Sequence, residues 1–221
     1  DNGLGLVVTL EYESSVAQMV RAEAQGRPWS TVMPVPISVV SRIVADDGVS
    51  PPFDQVISYR DPHYESAKQE FRGFAGADLQ ETGDASVATK ITRHVFDTGR
   101  AEMCLKGKTL SEAVLGEDGP VFVRSVNTWG ARVLASGLDG RDVCFPATEA
   151  VDRTVLEGQA AGVALRDEMA YDDFGHVVVE RRLGVADAAG DEIVTEREYD
   201  VRIDPWLLDL LASERTLDGS G

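Results

Sequence analysis

Cysteine and histidine are scarce in this chain: two cysteines, Cys104 and Cys144, and three histidines in 221 residues. No CxxC pair occurs and no histidine neighbours either cysteine, which argues against a structural zinc site. The two thiols allow either one disulfide or two buried free thiols. His63, His94 and His176 lack HxH, HxxE or HExxH spacing, so no metal centre or general base is indicated. A Gly-x-Ser-x-Gly elbow is missing too, and Ser14-Ser15, with no base nearby, reads as a cap or strand-end pair rather than a nucleophile. Apolar runs such as Val177-Val178-Val179 are far shorter than the roughly 20 residues a bilayer demands, so no segment reads as membrane-spanning. Positive charge is the remaining shortage. Against 38 acidic residues stand 21 Lys and Arg, a net charge of −17, which disfavours nucleic acid as a partner.

What remains is ordinary globular composition, 43% hydrophobic and 27% charged, with the acids dispersed over a solvated surface. Beginning at Asp1 without Met or a signal-like apolar region, the chain is expected to be a piece of a longer polypeptide.

The stretch that organises the reading is Glu70-Phe71-Arg72-Gly73-Phe74-Ala75-Gly76. Strict alternation puts Phe71 and Gly73 on one face of a strand and Arg72 and Phe74 on the other. A glycine inside such a pattern marks a bulge or a close backbone approach. Around it the chain reads as strand after strand. Leu6 to Tyr12, Ile37 to Val44, Gln55 to Arg60 and Ala88 to Asp97 are rich in β-branched residues and bounded by turn signals such as Asp46-Asp47-Gly48 and Asp61-Pro62. Val16 to Gln25 has a helix-forming composition, capped by Ser14 or Ser15. Ala77 to Ala88 reads as a strand end and a loop. Met103 to Leu115 fits either a strand pair or a short helix.

Further strands are expected at Val121 to Trp129, Arg132 to Leu134, Val151 to Val155, Gly162 to Tyr171, His176 to Leu183 and Ile193 to Ile203. A turn at Asp172-Asp173-Phe174-Gly175, a small acidic turn over Ala186 to Asp191 and a helical turn at Trp206 to Leu211 complete the reading. The Tyr171-Asp172 and Tyr199-Asp200 pairs lie 28 residues apart, a spacing at which repeat architectures show themselves.

Laid out in this order, the residues resemble the central region of the B component of bacterial insecticidal toxin complexes, and the related Salmonella virulence-plasmid and RHS/YD-repeat proteins. Asn2-Gly3-Leu4-Gly5 and Tyr12-Glu13-Ser14-Ser15 are similar to the family's glycine turn and Tyr-x-Ser-Ser strand end. Pro34-Val35-Pro36-Ile37 is similar to its Pro-Phe-Pro-Val strand, and Glu70-Phe71-Arg72-Gly73-Phe74 is nearly its Glu-Phe-Arg-Gly-Phe. Thr92 to Gly99, Leu105 to Leu110, Tyr171 to Val177 and Tyr199 to Thr216 continue the resemblance, with His176 where Asn is usual and Asp209 where Gly is usual. The region Val121 to Val143 departs from it, lacking the family's Pro-Tyr-rich strand.

The resemblance implies an all-β chain of antiparallel strands and hairpins, part of a large RHS-type β-sheet shell with few short helices. It implies a middle/N-terminal-like segment over 1–85, a middle/C-terminal-like segment over 86–165 and the start of YD/RHS-type repeats over 166–221. Such a chain would be a non-enzymatic wall segment of a secreted toxin complex, without cofactor or metal. Its partners would be the rest of its own polypeptide, the enclosed C-terminal toxin and a translocation component. The rival is a secreted β-sandwich module binding carbohydrate or protein through an aromatic platform of Trp29, Trp129 or Trp206.

Single residues carry little chemistry beyond this. Asp46-Asp47, Asp172-Asp173 and Asp139 with Asp142 offer oxygen ligands of the kind calcium takes, but none matches an EF-hand loop. Gly3-Leu4-Gly5 lacks the rest of a phosphate loop. Arg72 reads as structural, and Asp172 as a residue that bonds neighbouring backbone groups within its turn.

Overall fold

The computed structural model of the chain describes residues 5–138, 140–186, 188 and 190–218. The expected turn at Asn2-Gly3-Leu4, the aspartate Asp139 and part of the acidic turn over Ala186 to Asp191 lie outside these residues. Contacts divide the chain into two units, Asp1–Phe122 and Val123–Gly221. In both units the order of strands in the sheet is their order in the chain, and the registers that define neighbouring pairs are antiparallel. The all-β expectation, with few short helices, therefore holds.

The first unit contains β1 (Val7–Ser14), α1 (Ser15–Ala24), β2 (Ser38–Asp46), β3 (Phe53–Glu65), β4 (Glu70–Glu81), β5 (Lys90–Phe96) and β6 (Thr109–Gly116). Helix α1 starts where the sequence says it should: Ser14 accepts a hydrogen bond from the Val16 N–H (3.0 Å), and Arg21 sits in the last turn, where the helix dipole is negative. Ser15, almost completely buried, anchors the helix to the chain entering β2. Its N–H donates to the Ile37 carbonyl (2.8 Å), and its hydroxyl accepts from the Ile37 N–H (3.1 Å).

The β3–β4 hairpin outruns its neighbours on both sides. Strand β2 pairs with β3 only from Phe53 to Val56, and β5 pairs with β4 only from Gly76 to Glu81. Backbone groups beyond those limits need other partners. On the β3 side Gln18 of α1 supplies them: its amide donates to the Ile57 carbonyl (3.0 Å) and accepts from the Tyr59 N–H (3.1 Å). Farther out, Thr31 donates to the Pro62 carbonyl (2.6 Å), while Ser30 donates through its N–H to the Asp61 carboxylate (2.5 Å). This is why Asp61-Pro62, expected as a turn, continues β3 instead; the chain reverses at residues 66–69.

The bulge expected at Gly73 is present, with consequences that alternation misses. Pro62 faces Phe74 but Tyr64 faces Phe71, so β4 has one extra residue there, and Gly73 takes a φ of +105° that L side chains rarely adopt. Cross-strand partners share a face. Phe71 and Phe74 therefore lie on the same side, with ring centroids 5.4 Å apart, and not on opposite sides. Met103–Leu105 forms a single 3-10 turn ahead of β6, so only the second half of Met103 to Leu115 is strand.

The second unit is a plain meander of β7 (Val121–Ser136), β8 (Asp142–Val155), β9 (Val163–Tyr171), β10 (Val177–Val185), β11 (Ile193–Arg202) and β12 (Leu207–Asp218). Two expectations change. The strands at Val121 to Trp129 and Arg132 to Leu134 are one, because the pairs Trp129–Thr148, Gly130–Ala147 and Ala131–Pro146 carry the ladder across the glycine. Trp206 to Leu211 is not a helical turn: Leu207 opens β12, and Leu210 and Leu211 pair with Asp200 and Tyr199.

Burial is concentrated around the β3–β4 hairpin, where Ser15, Gln18, Pro62, Arg72, Gly76 and Gly99 are buried. Replacing Gln18 by Leu keeps its bulk but leaves the Ile57 carbonyl and the Tyr59 N–H without partners. A loss of about 2–4 kcal/mol is expected, read as a lower urea midpoint at unchanged slope.

Candidate functional site

On the β4 side of the hairpin, the segment between β5 and β6 takes the place of a strand. Arg72 fastens it, its side chain about 5% exposed, donating from Nη1 to the Gly99 carbonyl (2.9 Å) with Glu70 (3.3 Å) and Glu65 (3.6 Å) as counterions. Lys106 of the same segment pairs with the other oxygen of Glu70. Hydrogen bonds from Lys106 and then Arg72 hold the Glu70 carboxyl below its ordinary value. The signature Glu-Phe-Arg-Gly-Phe is thus a fastening device: the glutamate and arginine bind the crossing segment, the glycine makes the bulge, and the phenylalanines pack together with Tyr59 and Trp29 (Phe74 to Tyr59 4.8 Å, to Trp29 5.9 Å).

On the α1 side lies a cleft of about 330 Å³, lined by Arg21, Arg27, Trp29, Tyr59, Arg60 and Arg93. The second glycine of the motif makes room for it. Arg60 faces Gly76 across the ladder, and a Cβ on Gly76 would sit 2.3 Å from the Arg60 guanidinium carbon. Lying over that glycine, Arg60 reaches Asp78 (3.1 Å) and the His94 carbonyl (3.4 Å), while Arg93 grips Asp78 with two bonds (2.9 and 2.8 Å). Burial alone would raise the Asp78 carboxyl, but the hydrogen bonds and charges of Arg93 and Arg60 outweigh it and hold it below its usual value.

The residues the sequence singles out stay apart. Ser14 and Ser15 spend their hydroxyls on α1 and its anchor. His94 pairs with Glu112 across β5 and β6 (3.2 Å). His63 has an unpartnered Nε2, and burial, then Arg100 and Arg72, depress its basicity. Asp46 and Asp47 accept turn N–H groups from Gly48, Val49 and Ser50, and Asp142 accepts from Ser136. Asp172 acts within its turn as expected, accepting from the N–H groups of Phe174 and His176 (2.9 Å each) and meeting the His176 ring at 2.8 Å. Asp173 pairs with Arg132 (2.9 Å). Among the described residues no three His, Cys, Asp or Glu side chains gather as a metal site would need. The arginine cleft is what the sequence reading missed. Its members are dispersed from Arg21 to Arg93, and only Gly76, a second glycine in the motif, hinted at a close approach.

Two outcomes follow from this geometry. Arg72→Met should cost about 1–3 kcal/mol by leaving Glu65, Glu70 and the Gly99 carbonyl without their donor, with hydrogen exchange accelerating first between residues 97 and 108. Asp78→Asn should cost about 1–3 kcal/mol at neutral pH. Because the folded carboxyl is held low, its contribution is present above its unfolded value near 4 and fades as pH falls through the lower folded value. The gap between wild type and Asp78→Asn should therefore close in acid, as urea titrations at a series of pH values would show.

With the geometry in place, the relatives are informative. The family described as insecticide toxin TcdB middle/N-terminal region matches residues 1–102. No curated protein sequence matches the chain. Among solved structures, the fold recurs in TcdB2-TccC3 (TM-score 0.79, 14% identity), in the Photorhabdus luminescens Tc holotoxin pore (0.80, 14%) and in TcdB2-TccC3 without its hypervariable C-terminal region (0.80, 15%). Each match covers 98% of this chain but only 15%, 14% and 14% of those chains respectively, so the chain spans about one-seventh of their length. Residues 1–102 thus match the family described as insecticide toxin TcdB middle/N-terminal region, and the chain as a whole shares its sheet fold with these TcdB2 structures.

Proposed function

We propose that this chain is a non-enzymatic stretch of wall in a secreted toxin-complex shell of the RHS type, which encloses a C-terminal toxic effector before delivery. The observation that carries this reading is the apolar surface left on the end strands. Val7, Val8 and Leu10 of β1 are about half exposed although alternation sends Val7 and Val8 to opposite faces, and Leu210 and Leu211 of β12 are 41% and 53% exposed. End strands with free ladder edges and apolar groups on both faces are surfaces that more chain normally covers. That fits a piece spanning about one-seventh of its structural relatives.

In this reading, residues 1–85 and 86–165 are the two middle segments, with the middle/N-terminal family match running past that first bound to residue 102, and residues 166–221 begin the YD repeats. The stacking of Tyr199 on His176 (4.2 Å), joining the second Tyr-Asp strand to the first Tyr-Asp turn, supports the last assignment. Partners are the remaining polypeptide, the enclosed effector and a translocation component. An aromatic platform has little support: Trp29 packs on Phe74, and Trp129 on β7 is five strand spacings, about 24 Å, from the turn that carries Trp206.

The test uses the full polypeptide that carries this chain together with its effector. Removing the β9–β10 hairpin, residues 163–185, should open the wall and expose the effector to trypsin, whereas the intact polypeptide protects it. Equal protection in both, or equal digestion in both, overturns the reading. The isolated 221-residue chain should also self-associate through its end strands, giving a mass above 23.9 kDa in light scattering that rises with concentration.

A further inference from the structure

One cross-strand triplet among the described residues has its charges inverted. Elsewhere, cross-strand triplets place one arginine between two carboxylates: Arg42 of β2 lies between Glu11 of β1 (3.1 Å) and Asp54 of β3 (2.8 Å), and Arg197 of β11 lies between Glu180 of β10 (3.1 Å) and Glu214 of β12 (2.7 Å). At Asp78 of β4 the order is inverted, with Arg60 of β3 and Arg93 of β5 on either side of one carboxylate. Arg21 and Arg27 come to the same cleft from α1 and its exit, and the carboxylates that offset the four guanidiniums are Asp78 and, on Arg21, Glu13.

We propose that this cleft binds an aromatic dianion, a single ring bearing a phosphate monoester or a pair of carboxylates. A surplus of two positive charges matches a dianion. Asp78 holds Arg60 and Arg93 in fixed orientation while each keeps N–H groups to spare, since a guanidinium has five. Arg27 donates to the neutral Gln25 amide oxygen (2.5 Å), so its charge is available to a ligand. Trp29 lines the cleft beside these guanidiniums. Tyr59 and Trp29 give the ring an aromatic wall, and about 330 Å³ lies at the small end of ligand pockets, the size for one ring and not for a polymer. None of this depends on the wall reading.

Isothermal titration calorimetry on the full polypeptide carrying this chain tests the site, with phenyl phosphate, phthalate, inorganic phosphate and phenol as probes. The expected result is one site for phenyl phosphate or phthalate, with phenol silent and inorganic phosphate weaker; whichever of the two dianions binds tighter identifies the headgroup. Arg27→Gln, on an exposed side chain outside the ladder, should weaken the favoured dianion about tenfold. Silence from both dianions, a phenol signal equal to theirs, or unchanged affinity in Arg27→Gln overturns the proposal.

Discussion

The first unit depends on one requirement: a hairpin longer than its neighbours must find partners for the backbone it carries past them. β-Sheets satisfy their polar groups by addition of strands, and β3 and β4 run beyond β2 and β5. On one flank a glutamine side chain imitates a strand, since a primary amide offers the same donor and acceptor pair as a peptide group. On the other flank, buried Arg72 clamps a crossing segment by its carbonyl. Burial follows from this arrangement, and so does its chemistry: several of the most buried side chains are polar, because they serve as connectors and not as filling.

Charge follows the same ladder. An arginine placed on a middle strand can reach carboxylates on both neighbours, as Arg42 and Arg197 do. Much of the pairing is solvent-exposed and contributes little stability individually. Its value is in register, since a slip by one residue sends every member of a triplet to the opposite face. The inverted triplet at Asp78 sits beside α1, where Gly76 lets the Arg60 guanidinium lie close against the sheet.

Strand content and order were legible because the β-branched runs and turn signals are local, and so was a serine cap, open between Ser14 and Ser15 until the structure gave Ser14. The bulge at Gly73 was legible as a bulge, but its effect on facing was not, because alternation has no memory of an inserted residue. Asp61-Pro62 looks like a turn to any local rule; only Ser30 and Thr31, some thirty residues upstream, let it continue as strand. Trp206 to Leu211 is a compact apolar cluster after Asp204-Pro205, which local rules take for a helical turn, yet the ladder to Tyr199 and Asp200 decides its state. The arginine cleft could not be read at all, since its members are united by register and not by spacing.

A meander in which each strand pairs with the one just before it has a kinetic consequence. The contacts that define each unit are short in sequence, so loop-closure entropy stays small at every step and pairing can advance in the order of synthesis. Each new strand finds its template already present and becomes the template in turn. At any moment during synthesis one growing edge is open, and the time it stays unprotected is set by the length of the next turn, which for most of this chain is only a few residues.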